Sequence, residues 1–228
     1  MTHPMTGFMR WTAAPPQRAT FMAFRRTIAT AALGGADIDV LEGVLSREGQ
    51  NMVFGVVVEA FATLPLIEGK SFATAYAQSP EGRADGRGAD YCRQLQKAPF
   101  RLYQTVSVAR GEGVELRLLD GAAGDTVFAC DASVGHWLQP GDCLAVRVVD
   151  WDGREELSGG MLPFREEDAR TTAREFAAFK SEIAMDGGIS GGLDAVFAAP
   201  EACFLNAWLA GQLDAATRKT QPKRRARR

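Results

Sequence analysis

The spacing of apolar residues changes once in this chain, at Pro99, from a period near 3.6 to a period of 2. That change limits the fold more than any other feature. Before it, Phe21, Phe24 and Ile28 recur at three and four, as do Ile38, Leu41, Val44 and Leu45 behind an N-cap at Asp37. Val53, Val57, Phe61 and Leu64 continue the pattern. The run Val56–Val58 has strand composition, yet it passes directly into Glu59-Ala60-Phe61-Ala62, and a buried helix is expected there. Ser71 is placed to cap a short helix, and a loop over Ser79–Gly88 is expected before a helix ending near Lys97. After Pro99, Leu102, Val106 and Val108 lead to a Gly111-Glu112-Gly113 turn. Val114, Leu116 and Leu118 then alternate with Glu115 and Arg117, which predicts a hairpin. Further turns at Asp120-Gly121, Pro140-Gly141-Asp142 and Asp152-Gly153 delimit five short strands. Five such strands must protect their edges, and closure on themselves is the simplest way to do so. Helical spacing returns after Pro163, with Phe176, Phe179 and Ile183, then with Phe204, Leu205, Trp208 and Leu209.

The expected fold is therefore α+β: a small SH3-like or OB-like antiparallel β-barrel flanked by N-terminal and C-terminal helices. The expected divisions are a flexible N-terminus over 1–18, a helical region over 19–98, the barrel over 99–164, C-terminal helices over 165–217 and a disordered basic tail over 218–228. With 228 residues, 46% of them hydrophobic, the chain can bury an ordinary core. Met52–Ile67, its longest apolar stretch, is interrupted by Glu59 and Pro65 and is too short to span a bilayer, so no membrane partner is expected.

The net charge of −2 conceals an asymmetry. Arg218, Lys219, Lys223, Arg224, Arg225, Arg227 and Arg228 are seven of the 26 basic residues, which leaves 19 basic against 28 acidic side chains in the body. A cationic end on an acidic body suits RNA or DNA, where it would lie along phosphates. It equally suits another protein as partner with the tail inert, or a solvated end that folds back on the body. Cys92, Cys130, Cys143 and Cys203 match no metal-binding spacing, and only two histidines are present. Reduced thiols, a cytoplasmic location, and no metal or cofactor are the resulting expectations.

Catalytic motifs are present by letter only. Gly188-Ile189-Ser190-Gly191-Gly192 matches a nucleophile elbow, but it follows a helix and no histidine comes after it. Gly69-Lys70-Ser71 resembles the end of a P-loop, but Leu64 stands where the first glycine belongs. An enzyme would therefore need a cryptic site, for which a pocket around His136, Asp150 or Asp131 is the candidate. Trp137 and Trp151, both near turns, are candidates for a stacking surface, with core or edge cover as the commoner role of such tryptophans.

Ala98-Pro99-Phe100-Arg101-Leu102-Tyr103, Gly113–Gly121, Leu138-Gln139-Pro140-Gly141-Asp142, Ala145–Val149, Asp152-Gly153 and Leu157-Ser158-Gly159-Gly160 follow one another in an order with a precedent. In order and spacing, the stretch from about Met52 to Phe164 resembles the central region of bacterial SEC-C-motif-containing proteins. The SEC-C motif itself, a zinc-binding C-x-C followed by a Cys-Cys or Cys-His pair, is missing from this sequence. The resemblance therefore implies a bacterial β module but carries over no zinc-dependent partner and no catalytic residue.

Overall fold

A computed structural model describes residues 3–33, 43–66, 69–121, 124–131, 134–185, 196 and 198–220. Among the described residues six helices precede the sheet: α1 (Thr6–Ala13), α2 (Gln17–Ala32), α3 (Arg47–Thr63), α4 (Phe72–Gln78), α5 (Pro80–Ala84) and α6 (Gly86–Lys97). The strands are β1 (Phe100–Ala109), β2 (Gly113–Leu118), β3 (Thr126–Ala129), β4 (Cys143–Trp151), β5 (Arg154–Leu157) and β6 (Leu162–Phe164). Helices α7 (Glu166–Met185) and α8 (Pro200–Thr220) complete the described chain. The fold is α+β, and the change of period at Pro99 falls at the boundary between α6 and β1.

The sheet is antiparallel, in the order β3-β2-β1-β4-β5, with β6 also paired to β4, and it curls into a half-barrel. Cys130 N–H just after β3 donates to Glu155 O in β5 at 2.6 Å, a bond that joins the two ends of this path. Tight turns set the register. Gly111 adopts φ +82° between β1 and β2, while Asp152 and Gly153 adopt +54° and +76° between β4 and β5, the left-handed pair that a two-residue hairpin requires.

Strand β4 is buried on both faces, and its alternation decides where each side chain goes. Leu144 and Val146 point into the concave side, where they meet Tyr103, Val114, Leu116 and Leu157. Cys143, Ala145, Val149 and Trp151 point the other way, into the core shared with the helices. Helix α3 lies in that core with Val56, Ala60, Phe61 and Ala62 buried, so the expected buried helix forms despite its valine run. Burial on every side outweighs the modest helix penalty of β-branched residues.

Several expectations need correction. The first 18 residues, expected to be flexible, contain α1 and the start of α2. Met5 and Phe8 are buried, and Phe8 packs edge-on against Tyr76 at 5.6 Å. The expected loop over Ser79–Gly88 is instead two short helical segments in series. Ser79 Oγ accepts from Gly82 N–H at 3.0 Å, and the Asp85 carboxylate accepts from Gly88 N–H at 3.3 Å, so each polar residue starts a helix where its composition suggested irregular chain. A sixth strand, β6, was not expected. The last helix continues to Thr220, past the expected end at 217, so the backbone of Arg218 and Lys219 is helical. The other expected tail cations, Lys223, Arg224, Arg225, Arg227 and Arg228, lie outside the described residues. So do Gly188–Gly192 and the cap expected at Asp37.

Candidate functional site: a groove beside a buried charge cluster

Arg147 belongs to the helix-facing row of β4, where every other member is apolar, and it is only 4% exposed. A guanidinium cannot sit in that layer without partners. It donates to Ala98 O, to Thr63 Oγ1 at 2.9 Å and to the Glu201 carboxylate in α8. A second carboxylate, Glu59 of α3, has its Oε2 3.8 Å from Arg147 Nε, too far for a hydrogen bond, and that Nε has no partner among the described residues. Two buried acids thus share one base. Glu201 holds the base directly, and Glu59 is left with the weaker share.

Glu59 instead accepts from the segment that follows β5. Ser158 Oγ donates to its Oε2 at 2.8 Å and Gly160 N–H to its Oε1 at 2.6 Å. Burial pushes this carboxyl up to about 7, against the lowering influence of Arg147, Ser158 and Gly160. The segment lies directly on α3: a methyl group on Gly55 would stand 3.0 Å from Gly159 O, and one on Gly160 would stand 2.9 Å from Glu59 Cδ. The glycines are required here by backbone-to-helix contact.

A groove of about 790 Å³ runs between α1, the α4–α6 helices and the β4–β5 hairpin. This lies within the size range of ordinary ligand sites. Arg10, Trp11, Asp85, Arg87 and Glu156 line it together with His3. Tyr76, fully buried beneath it, donates its hydroxyl to Asp85 Oδ2 at 2.6 Å. Burial and the adjacent Asp85 carboxylate push the phenol far up, so it stays protonated. His3 Nδ1 accepts from Met5 N–H at 3.1 Å, and partial burial lowers the imidazole from its ordinary value. Both features favour a neutral ring. Glu156 is raised by burial first and then by Asp131 and Asp152, partly offset by Arg154. Because Tyr76 anchors α4 to the cap of α6, Tyr76→Phe is expected to cost about 1.5–3 kcal/mol, as for a bond to a charged group. Chemical denaturation of both proteins checks this, and an unchanged midpoint would rule out the anchoring role.

The residues singled out from sequence are dispersed. Trp151 is 7% exposed, with Tyr91 edge-on at 5.2 Å and the Arg87 guanidinium over its ring at 5.5 Å, so of its two expected roles it takes that of core cover and the stacking role is corrected. Trp137 is exposed and follows a 3₁₀ turn (Val134–His136) flanked by residues of the concave core, away from the helix-facing row that holds Trp151. His136, Asp131 and Asp150 do not line the groove. Ser71 caps α4 by accepting from Thr74 N–H at 3.1 Å, as its position suggested. Among the described residues no group of His, Cys, Asp and Glu could hold a metal. Burial raises three of the thiols, Cys92 to about 12 and Cys143 and Cys203 to about 11, far from the range of a reactive thiolate.

Sequence reasoning passed over Glu59, Arg147, Glu201 and Ser158. A signal existed for two of them, since Glu59 is the one charge in an apolar helical run and Arg147 the one charge in an alternating apolar row. No described helix is long and apolar enough to cross a membrane. Comparison with known proteins found no matching family model, no matching curated protein and no matching solved structure.

Proposed function

We propose that this chain is a non-enzymatic, cytoplasmic binding or adaptor protein, built as a small SH3- or OB-type barrel fixed to a helical layer. The observation that carries this reading is the groove. Its size suits a ligand, and several of its polar groups are held in place by one another: Tyr76 to Asp85, Asp85 also to the α6 cap, and His3 Nδ1 to the backbone. Arg87 is shared between Asp152 and Trp151. Such a surface holds and positions a partner, whereas proton or acyl transfer would need an uncommitted base beside a nucleophile.

Nucleic acid is the partner proposed, engaged through the cations from Arg218 onward. Helix α8 supports this because Phe204, Leu205, Trp208 and Leu209 lock its first half into the core, so the cationic run continues from a fixed anchor. Neutralising up to seven phosphates gives a log–log salt slope of about −6. Changing Lys223, Arg224, Arg225, Arg227 and Arg228 together to Gln is expected to reduce it to about −2, measured by titrating a labelled oligonucleotide at several salt concentrations. An unchanged slope would remove the C-terminal cations from the reading.

The groove also favours a second reading, a protein-interaction module whose cationic end is inert. A single stoichiometric protein partner, retained after nuclease treatment and lost on Trp11→Ala, would select it.

A further inference from the structure

The cations of this sequence gather in two acid-free stretches. No acid precedes Asp37, while Arg10, Arg18, Arg25 and Arg26 all fall before it. With the seven C-terminal cations also set aside, 15 basic side chains face 28 acidic ones over residues 37–217. Arg18, Arg25 and Arg26 lie on α2 at i, i+7 and i+8, with Met22 at i+4, so the four share one face about 100° wide. Arg18, Met22 and Arg26 are exposed and Arg25 is half-buried, while Phe24 and Ile28 of the other face are buried in the core. None of the three arginines has a hydrogen-bond or ion-pair partner among the described residues. Exposed arginines in the sheet region stand close to an acid in the chain: Arg110 near Glu112, Arg154 next to Glu155 and Arg165 next to Glu166.

We propose that this face of α2 is a second phosphate-contacting surface, occupied by the backbone of the same nucleic acid that the C-terminal cations hold. The proposal rests on nucleic acid being the partner of those cations and adds to it a site on the folded body. Charge complementarity selects a polyanion. Three unpaired guanidiniums within about 12 Å along the helix axis match the rise of three to four phosphates on one strand of a duplex, about 3.4 Å each, and the planar fork of arginine fits the oxygens of a phosphate. A bilayer is the poorer occupant, because a helix lying in a membrane surface inserts its apolar face, and the apolar face of α2 is spent on the core. Met22, 45% exposed within the stripe, is an unbranched side chain that adapts to an uneven partner. The two cationic stretches are also tied together. Asn206 Nδ2 donates to Ala32 O at 2.6 Å, which joins the helix leading to the C-terminal cations to the helix bearing the stripe. Arg26 lies about 9 Å of helical rise before this bond and Arg218 about 18 Å after it. At any crossing angle their backbones are therefore within about 35 Å, one turn of a B-form duplex.

Titration of a labelled DNA duplex two helical turns long with the full chain, at several salt concentrations, tests the second surface. The C-terminal cations alone give log–log slopes of about −6, and about −2 once five of them are changed; three further phosphates steepen each value by about 2.7. Changing Arg18, Arg25 and Arg26 together to Gln is expected to remove that increment, both in the native chain and in the chain with the five C-terminal changes. Changing the same three to Lys keeps the charge and is expected to keep the slope. Changing Arg110, Arg154 and Arg165 together to Gln alters the net charge equally and is expected to move the slope by less than about 1. A slope that responds to the C-terminal changes but not to those on α2 would overturn the second surface and leave the nucleic-acid reading standing. An equal response to the Arg110, Arg154 and Arg165 changes would also overturn it, since net charge alone would then be acting. Binding to phosphatidylserine vesicles that is lost on the α2 changes, with the DNA slope unmoved, would assign the face to a membrane. Absence of salt-dependent binding by the native chain would overturn both readings.

Discussion

Arg147→Ala is expected to lower stability by about 3–5 kcal/mol, the range found when one member of a buried ion pair is removed. The substitution leaves Glu59 and Glu201 facing each other across a dry interface, with Thr63 Oγ1 and Ala98 O each losing a partner. For a chain of this size each kcal/mol lowers the midpoint of thermal unfolding by about 2–4 °C, so a fall of about 10 °C is expected. The control is the triple change Glu59→Gln, Arg147→Met, Glu201→Gln, which removes all three charges together. Apolar or neutral replacement of a whole buried charge group is often close to neutral, and this variant is expected to lose less than half of what Arg147→Ala loses. Denaturant titration of the two proteins decides the matter. If the triple variant proves the less stable, the cluster is a net source of stability, and the view of Arg147 as the base that makes two buried acids tolerable is wrong.

Stability should also fall as the pH rises from about 4.5 to about 7. Glu59 has its ordinary value of 4.5 when unfolded and about 7 when folded, so between these limits the folded state binds more protons. The contribution of Glu59 to stability is complete below 4.5 and is lost as the pH rises through 7, a difference on the order of 3 kcal/mol. Glu156, raised in the same direction, adds to this trend. His3 opposes it: its folded value is lowered, so its contribution increases as the pH rises towards 6.5. The clean measurement is the difference between the native chain and Glu59→Gln across pH 4.5 to 8, which cancels His3 and Glu156. A flat difference curve would mean that Glu59 is already ionised and fully compensated in the folded protein.

Arg147→Ala bears on the helix–sheet interface as a whole, and the pH dependence bears on one acid within it. Both follow from the same asymmetry: Glu201 hydrogen-bonds the guanidinium while Glu59 hydrogen-bonds the Ser158–Gly160 segment.

The parts of the fold legible in the chain are those governed by local rules. Alternation in Val114–Leu118, left-handed turn residues at Gly111 and Asp152-Gly153, and the Ser71 cap each depend on a few neighbouring residues, and each forms where it was expected. The errors arose where local composition pointed one way and a distant contact pointed another. Met5 and Phe8 looked like part of a loose end, yet their burial against Tyr76 and Cys92 holds α1 in place. Ser79–Gly88 had the composition of a loop, yet its caps and the Tyr76–Asp85 bond turn it into helices.

By itself, the order of residues determined an α+β chain with helices before and after a curled antiparallel sheet, because periodicity and turn chemistry act over a few residues and need no partner. The tertiary structure alone decided that Glu59, Arg147 and Glu201 meet, 88 and 54 positions apart, and that Gly160 of a third segment lies against Glu59. A charge inside an apolar row announces that it must be compensated; which distant residue compensates it depends on how helix and strand cross, and that is settled only when the layers pack.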